Sequence, residues 1–521
     1  MYPIPLNQLL AGLAPAGSLG GEPVTAVVTD SRKVVPGCVF VCFPGQRVDG
    51  HDYAAAAIEG GALCVVANHP VEGVPADKLV LAPSSHKAMV RMGANYRMLF
   101  APKMIGVTGS VGKTTTKEFC YAVLSAFGET IKTEGNQNNE IGMPGTLFRL
   151  EPATRYAVVE MGMSALGEIE RLSRAARPSA GLITCIGVSH MESLGSRENI
   201  LKAKLEICAG LPDGAPLALN ADDEYLRKAK DQGLIPGRLT PVWYGVEAPW
   251  ADVRAEAIES GPEGERFTLV DGGERFAVRI PAMGRHNVYN ALAAYAAASR
   301  LGLDKAKCAA ALSNYEATGM RQHVVKKAGL TVVEDCYNAS PDSMKASLAM
   351  FSAFDAGSGK KYALLGDMLE LGSISEEAHR QVGRWAAEAH LAGLVALGPE
   401  SRAMAEEAEK AGLALVGMPS CGKTGVGKAL AKALKKPFVD ADAELVRRAG
   451  RPISEILQPG NEGPFRQMEA AVTADLAKRG GARGPQRAFE ARRRAAGQGQ
   501  PGHEAGKYPE SPLRRGNFAI K

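Results

Sequence analysis

The sequence predicts an α/β protein of several domains built around a nucleotide-binding unit, and three observations carry that prediction. A short apolar run, Met104, Ile105 and Val107, leads through a glycine turn at 109–112 into Lys113 and a helical pattern. From about 101 to 313, apolar runs ending in polar residues alternate with helical periodicity, as a doubly wound sheet requires. The chain has 521 residues, too many for a single core.

Composition narrows the class. Hydrophobic residues make up 45% and charged residues 22%, the proportions of an ordinary globular protein. The start, MYPIPLNQLLAGLAP, has no basic leader with a long apolar core, and no run is long enough to span a bilayer. A cytoplasmic protein without stable membrane insertion is expected. The net charge of +5 is concentrated at the end: residues 482–521 carry nine Lys and Arg against three Asp and Glu, leaving the rest near −1. The alkaline balance therefore implies no nucleic-acid partner.

The glycine turn has the chemistry of a phosphate cradle. Glycines let backbone amides approach an anion, the helix start adds partial positive charge, Lys113 reaches the outer phosphates, and the Thr114 hydroxyl can ligate Mg2+. The usual first glycine of such loops is Val107 here, so TGxxGKT describes the variant better.

Residues 1–100 form a small α/β unit by pattern. Cys38, Phe40 and Cys42 alternate as one face of a strand, and nine scattered cysteines with no Cys-x-x-Cys pair predict reduced structural thiols. Ser31 and Arg32 follow Asp30 in a turn after a strand, and Asp49, Gly50, His51 and Asp52 open a helix. Such positions suit contacts to a polar ligand; plain turn and capping duties are the alternative.

In the central region TEGNQNNEIGMP (133–144) follows the loop, then the strands AVVEMGM (157–163) and LITCIGVSHMESLGS (182–196), and the helix start NILKAKLEI (199–207). Glu160 would lie beside the loop as a Mg2+ ligand, and His190, ending its strand, would point at the same edge. Lys204 would face inward, where an ammonium must pair, lose its proton or be modified; a snorkelling surface lysine is the alternative. A strand at 216–226 and a β-rich stretch to 281 precede the helix of MGRHNVYNALAAYAAASRLG (283–302), where Asn287 and Asn290 stand one turn apart and can face a base or ribose, or simply cap. From 314 a third α/β unit begins. Its strand TVV delivers Glu334 and Asp335, Asn338 and Ser340 follow, and ALLGDMLELG (363–372) ends in Asp367 and Glu370.

Taken together, TGSVGKTTTK, EGNQNNEIGMP, ExGM, IGVSHMESLGS, AKLEI, GRHNVYNALAA, EDCYNASPDSM and LGDMLELG resemble the Mur ligase family over residues 25–412. The resemblance implies a three-domain Mur ligase architecture: a UDP-sugar-binding domain at 1–100, an ATPase domain at 101–313 and a closing, truncated domain at 314–412. It implies a monomer that uses ATP to activate the carboxylate of UDP-MurNAc-tripeptide as an acyl phosphate, which the amine of D-Ala-D-Ala attacks. It also implies roles. Thr108, Gly109, Ser110, Val111, Gly112, Lys113, Thr114 and Thr115 would hold the ATP phosphates, Asn290 the adenine, Arg321 a phosphate and Asp335 the ribose. Thr114 and Glu160 would hold one Mg2+, and His190 with Lys204 a second, Lys204 having taken up CO2 as a carbamate. Ser31 and Arg32 match the uridine-nucleotide loop, while Asn338, Ser340 and Asp367 fall near the dipeptide and acyl-phosphate site.

After Ala411 that pattern breaks. Gly417, Gly422, Lys423 and Thr424 complete a strict GxxxxGK[ST] loop, and the text to 481, with Asp440 and Asp442, resembles the start of shikimate kinase. Residues 482–521 are rich in Arg, Gly, Pro and Gln without hydrophobic periodicity, the composition of a disordered basic tail. Half a kinase leaves an incomplete site. The full chain is therefore expected to show no shikimate-dependent ADP formation; such activity, if abolished by Lys423→Ala and untouched by Lys113→Ala, would establish a second enzyme in the chain.

Overall fold

The computed structural model describes residues 1–45, 48–327, 330–354, 357, 359–413 and 447–450. The second glycine loop with Gly417, Gly422, Lys423 and Thr424, the acids Asp440 and Asp442, and the basic tail lie outside the described residues. The chain divides into two units, Met1–Asp355 with Leu369–Ser375, and Ala356–Met368 with the chain from Glu376 on.

The first unit begins with a parallel four-stranded sheet, Ala26–Val28, Cys38–Val41, Cys64–Ala67 and Leu79–Leu81. Alternation along one strand fills two cores: Cys38, Phe40 and Cys42 pack on one side, Val39 and Val41 on the other. The expected cysteine face is therefore present, and it is one of two apolar faces.

A nine-stranded sheet follows. Its spatial order is Glu274–Ile280, Gly264–Asp271, Val253–Gly261, Thr240–Gly245, Pro216–Asn220, Ala180–Ile183, Lys103–Thr108, Tyr156–Glu160, Thr130–Lys132. The seven strands from Val253–Gly261 to Thr130–Lys132 are parallel, and the remaining two extend the sheet antiparallel. Side chains alternate between faces: Ala157 and Val159 join the core containing Ile169 and Ile200, while Val158 joins that of Phe119 and Val288. The helix Arg285–Ser299 is buried nearly all round, and its alanines let it lie close against the sheet and the helix Lys113–Ser125.

The Lys103–Thr108 strand lies between Tyr156–Glu160 and Ala180–Ile183. The chain steps to one side of it and then to the other, so a crevice opens at its C-terminal end, where ligands bind in such sheets. Both flanking strands are shorter than the sequence suggested. In particular Ala180–Ile183 stops well before His190, which lies in the following loop with φ 64°.

In the second unit, Tyr362–Gly366 and Gly393–Leu397 pair in parallel, and the helix Ser401–Lys410 follows. Asp367 accepts the Ser401 amide and hydroxyl, each at 2.7 Å, which satisfies that helix start. No helix among the described residues is long and apolar enough to cross a membrane.

Where the large sheet turns antiparallel, Asp271 is buried beneath Arg300, which donates to both its oxygens at 2.7 Å; Lys305 and the Tyr295 hydroxyl also approach it, at 3.3 and 3.1 Å. Burial opposes the Asp271 charge, but these partners outweigh it and hold the carboxyl below its ordinary 3.8. With the folded value depressed, this stabilisation is complete above pH 4 and is lost as pH falls through the folded value. Asp271→Ala should lower unfolding free energy by about 2–4 kcal/mol at neutral pH in urea titrations, because Arg300 loses its buried partner.

Candidate active site

The glycine turn is held by backbone fit. Gly109 has φ +144°, and a Cβ there would fall 1.9 Å from Thr184 Oγ1 and 3.0 Å from the Thr184 amide. Gly112 has φ +83°, and a Cβ would meet Asn290 Oδ1 at 2.6 Å. These are left-handed or strained positions pressed against neighbours, so only glycine fits both. The Ser110 amide donates to the Cys185 carbonyl at 2.9 Å, and the Thr184 hydroxyl to the Val111 carbonyl at 2.5 Å. Beneath the turn, Thr108 bonds the Met161 carbonyl at 2.8 Å. The helix begins at Lys113, as the sequence required.

Lys113 folds back onto the carbonyls of Gly109 at 2.9 Å and Ser110 at 3.2 Å. Burial lowers its pKa, and Arg321 adds to the effect while Glu160 opposes it. Thr115 lies near enough to Tyr315 to oppose, in small part, the rise that burial gives that phenol. Thr114 and Glu160 meet, hydroxyl to Oε1, at 3.3 Å. Asn138 donates to the same oxygen at 2.7 Å, and Lys117 Nζ lies 3.8 Å from Oε2. Lys117 is itself buried; it pairs with Glu118 at 3.1 Å and donates to the Thr133 carbonyl at 2.7 Å. Glu160 is thus held at the loop as the sequence predicted.

Lys204 is fully buried, and its Nζ has no hydrogen-bond partner among the described residues. The snorkelling alternative is excluded. Burial pushes its pKa well below the lysine range, and the charge of Lys113 pushes it further. His190 is lowered by burial, then by Lys204; Glu370 opposes this, with its Oε2 2.6 Å from Nδ1. Lys113, Lys204 and His190 therefore share one electrostatic neighbourhood.

The remaining predicted residues are less uniform. Asn290 accepts from Thr116 at 3.1 Å and donates to Asn287 at 3.0 Å, while Asn287 donates to Met283 and Gln322, both at 2.8 Å. The two asparagines are thus joined to each other and to neighbouring elements beside the glycine turn. The Arg321 guanidinium stacks 4.6 Å from the Tyr337 ring. Asp335 accepts from Ser347. Arg32 is highly exposed and pairs with Asp30, whose side chain caps the Ser31–Lys33 turn; that pair lowers Asp30 to about 2. Asn338 bonds the Ala339 amide at 2.9 Å, and Ser340 caps the helix Pro341–Ala353 through a reciprocal box with Ser343. Asp367 caps Ser401–Lys410 in the second unit, as above.

Sequence reasoning missed Asn138, Lys117 and Asp342. Asn138 and Lys117 lie in motifs already singled out, but only packing shows that both converge on Glu160. Asp342 Oδ2 accepts the Val188 amide at 3.4 Å, holding the loop before His190.

Buried Glu160 Oε2 and Lys204 Nζ both lack hydrogen-bond partners among the described residues, and Ser110 Oγ does too. Such atoms are costly unless a ligand completes them. A carboxylate beside a hydroxyl suits Mg2+, which binds through few protein oxygens and takes the rest from phosphates and water. No group of three or more His, Cys, Asp or Glu side chains that could cage a metal occurs among the described residues. An unmodified ammonium at Lys204 does not fit a cation; a carboxylated one does.

Three Mur ligase families match successive segments: "Mur ligase family, catalytic domain" at 23–100, "Mur ligase middle domain" at 107–298 and "Mur ligase, glutamate ligase domain" at 320–443. Shikimate kinase matches 419–482. The chain is 40% identical to the UDP-N-acetylmuramoyl-tripeptide--D-alanyl-D-alanine ligase of Bacillus subtilis, over 69% of this chain and 77% of that protein. It is 36% identical to the protein of the same name in Escherichia coli, over 78% and 88%. Among solved structures, MurF of Acinetobacter baumannii superposes with a TM-score of 0.71 at 30% identity, covering 80% of this chain and 90% of that one. MurF ligase of Thermotoga maritima in complex with ADP gives 0.68 at 28%, covering 79% and 92%. Gly109→Ala should leave the circular dichroism spectrum unchanged and weaken ATP at least about tenfold in calorimetric titration, because the new methyl displaces the loop from Thr184. With three family segments in order and a 40% identical relative matched over most of its length, the chain belongs to the Mur ligase family.

Proposed function

We propose that this chain is the ATP-dependent ligase that joins D-Ala-D-Ala to UDP-N-acetylmuramoyl-tripeptide in peptidoglycan precursor synthesis, acting as a cytoplasmic monomer. The observation that carries the reading is the 40% identity to the relative bearing that activity in its name, across 77% of its length. The glycine turn, with Lys113, Thr114 and Glu160 gathered at the switch point of the sheet, supports it.

In the first step a carboxylate oxygen of the tripeptide attacks the γ-phosphorus of ATP, the bond to the β-phosphate oxygen breaks, and ADP leaves. In the second the dipeptide amine attacks the acyl carbon, inorganic phosphate departs with the electron pair of the C–O bond, and the amine proton passes to solvent. A carboxylate is a poor electrophile, so activation must precede amide formation. The chain's task is positioning and charge neutralisation. The loop amides and Lys113 hold the phosphates, Lys113 exchanging the Gly109 and Ser110 carbonyls for phosphate oxygens. Asn138 and Lys117 keep the Glu160 carboxylate in place.

Mg2+ held by Thr114 and Glu160, and a second ion held by His190 and Lys204 as its carbamate, would neutralise charge on the transferring phosphoryl group. The carbamate forms when neutral Lys204 nitrogen attacks the carbon of CO2 and releases a proton. Burial without a hydrogen-bond partner supports this reading, since a free amine gains nothing from staying charged there. Of the other assignments, Asn290 would reach the adenine, Arg321 a phosphate and Asp335 the ribose, Ser31 and Arg32 the uridine nucleotide, and Asn338, Ser340 and Asp367 the dipeptide end.

Phosphate release from ATP and UDP-MurNAc-tripeptide should require D-Ala-D-Ala and should not occur with a single amino acid in its place. Lys113→Ala should lower kcat by about 10²–10³, the scale for loss of one electrostatic contact to a transition state; release without the dipeptide, or unchanged in Lys113→Ala, would overturn the reading. After equilibration with 13C-bicarbonate, a carbamate 13C resonance should be present in the native chain and absent in Lys204→Arg.

A further inference from the structure

We propose that Glu370 is a positioning residue for His190, fixing its imidazole with the proton on Nδ1 so that Nε2 is left as the lone-pair nitrogen for a divalent ion. The inference rests on the two-ion reading above. Glu370 Oε2 lies 2.6 Å from His190 Nδ1, and in a metal-ligating histidine the second nitrogen is characteristically faced by a carboxylate.

The pair could be an ordinary half-exposed ion contact, worth little. The backbone argues otherwise. His190 has φ 64° and Glu370 φ 61°, so both ends of the contact sit in the left-handed region, which non-glycine residues adopt at a cost. Two strained residues meeting at a single close contact indicate that the surrounding structure imposes the geometry. That structure is visible. The Glu370 carbonyl accepts from the Glu192 amide at 3.1 Å, and Gly372, with φ +56°, packs so closely that a Cβ would lie 3.2 Å from Glu192 Cα. The loop before His190 is held equally firmly: Ile186 donates to Asp223 at 2.9 Å, Arg197 donates to the Ile186 carbonyl at 2.6 Å, and Val188 donates to Asp342 at 3.4 Å.

Glu370 lies in Leu369–Ser375, a short piece of the first unit bounded on both sides by chain of the second. The His190 ligand site is therefore incomplete unless that segment is seated on the turn at 190–192.

The test uses the full-length chain, a non-hydrolysable ATP analogue and Mn2+, with free Mn2+ read by electron paramagnetic resonance. The native chain should bind two ions and His190→Ala one. Glu370→Ala should weaken the second ion about 10–100-fold and leave the first unchanged. Glu370→Gln, whose amide oxygen still accepts from Nδ1–H, should come within a few-fold of native. An unchanged second ion in Glu370→Ala, while His190→Ala loses it, overturns the positioning role. A Gln variant as weak as the Ala variant overturns it too, since charge rather than orientation would then matter. A native chain that binds a single ion overturns instead the two-ion reading from which the inference starts.

Discussion

The contact between the bare backbone of Gly109 and Thr184 governs the arrangement of this protein's chemistry. It brings the end of one strand against the end of its neighbour with no side chain between them, and Gly112 meets Asn290 in the same manner. Because both glycines are immobilised by neighbouring elements, the amides of the turn are oriented before any anion arrives, and their ordering cost is met during folding. Each flanking element then supplies one part of the site: Tyr156–Glu160 its terminal carboxylate, Ala180–Ile183 the loop that leads to His190, and Arg285–Ser299 the asparagines beneath the turn.

Positive charge is concentrated there beyond what the protein neutralises by itself. Lys117 is buried but has Glu118 and Glu160 as neighbours, an arrangement in which desolvation is offset by pairing. Lys204 is equally buried and has no such partner, and Lys113 repels it. The interior thus satisfies one lysine and leaves another bare, and a bare buried nitrogen is costly unless a ligand or modification completes it.

Much of this was legible in the sequence because the signals are local. The apolar run, glycine turn and Lys-Thr pair specify strand, cradle and helix within a dozen residues, and helical periodicity offers the inward face of Lys204 as one of two readings, which burial decides. What could not be read is what depends on distant segments meeting. Asn138 and Lys117 converge on Glu160 from different elements. His190 was placed at a strand end because apolar residues continue past Ile183, but the chain there leaves the sheet, and Asp223, Arg197 and Asp342 satisfy the loop's backbone instead. Asn287 and Asn290 have the spacing of ligand contacts, yet spacing does not reveal their bonds to Gln322 and Thr116.

The borders of the nine-stranded sheet carry a last implication. One outermost strand, Thr130–Lys132, is only three residues long, and the other, Glu274–Ile280, exposes Glu274, Arg275 and Arg279 along its free rim. A strand approaching from another molecule would find too short a template on one side and would have to desolvate charges on the other. So broad a sheet would otherwise invite lateral growth; among the described residues, these margins weigh against strand pairing at either border.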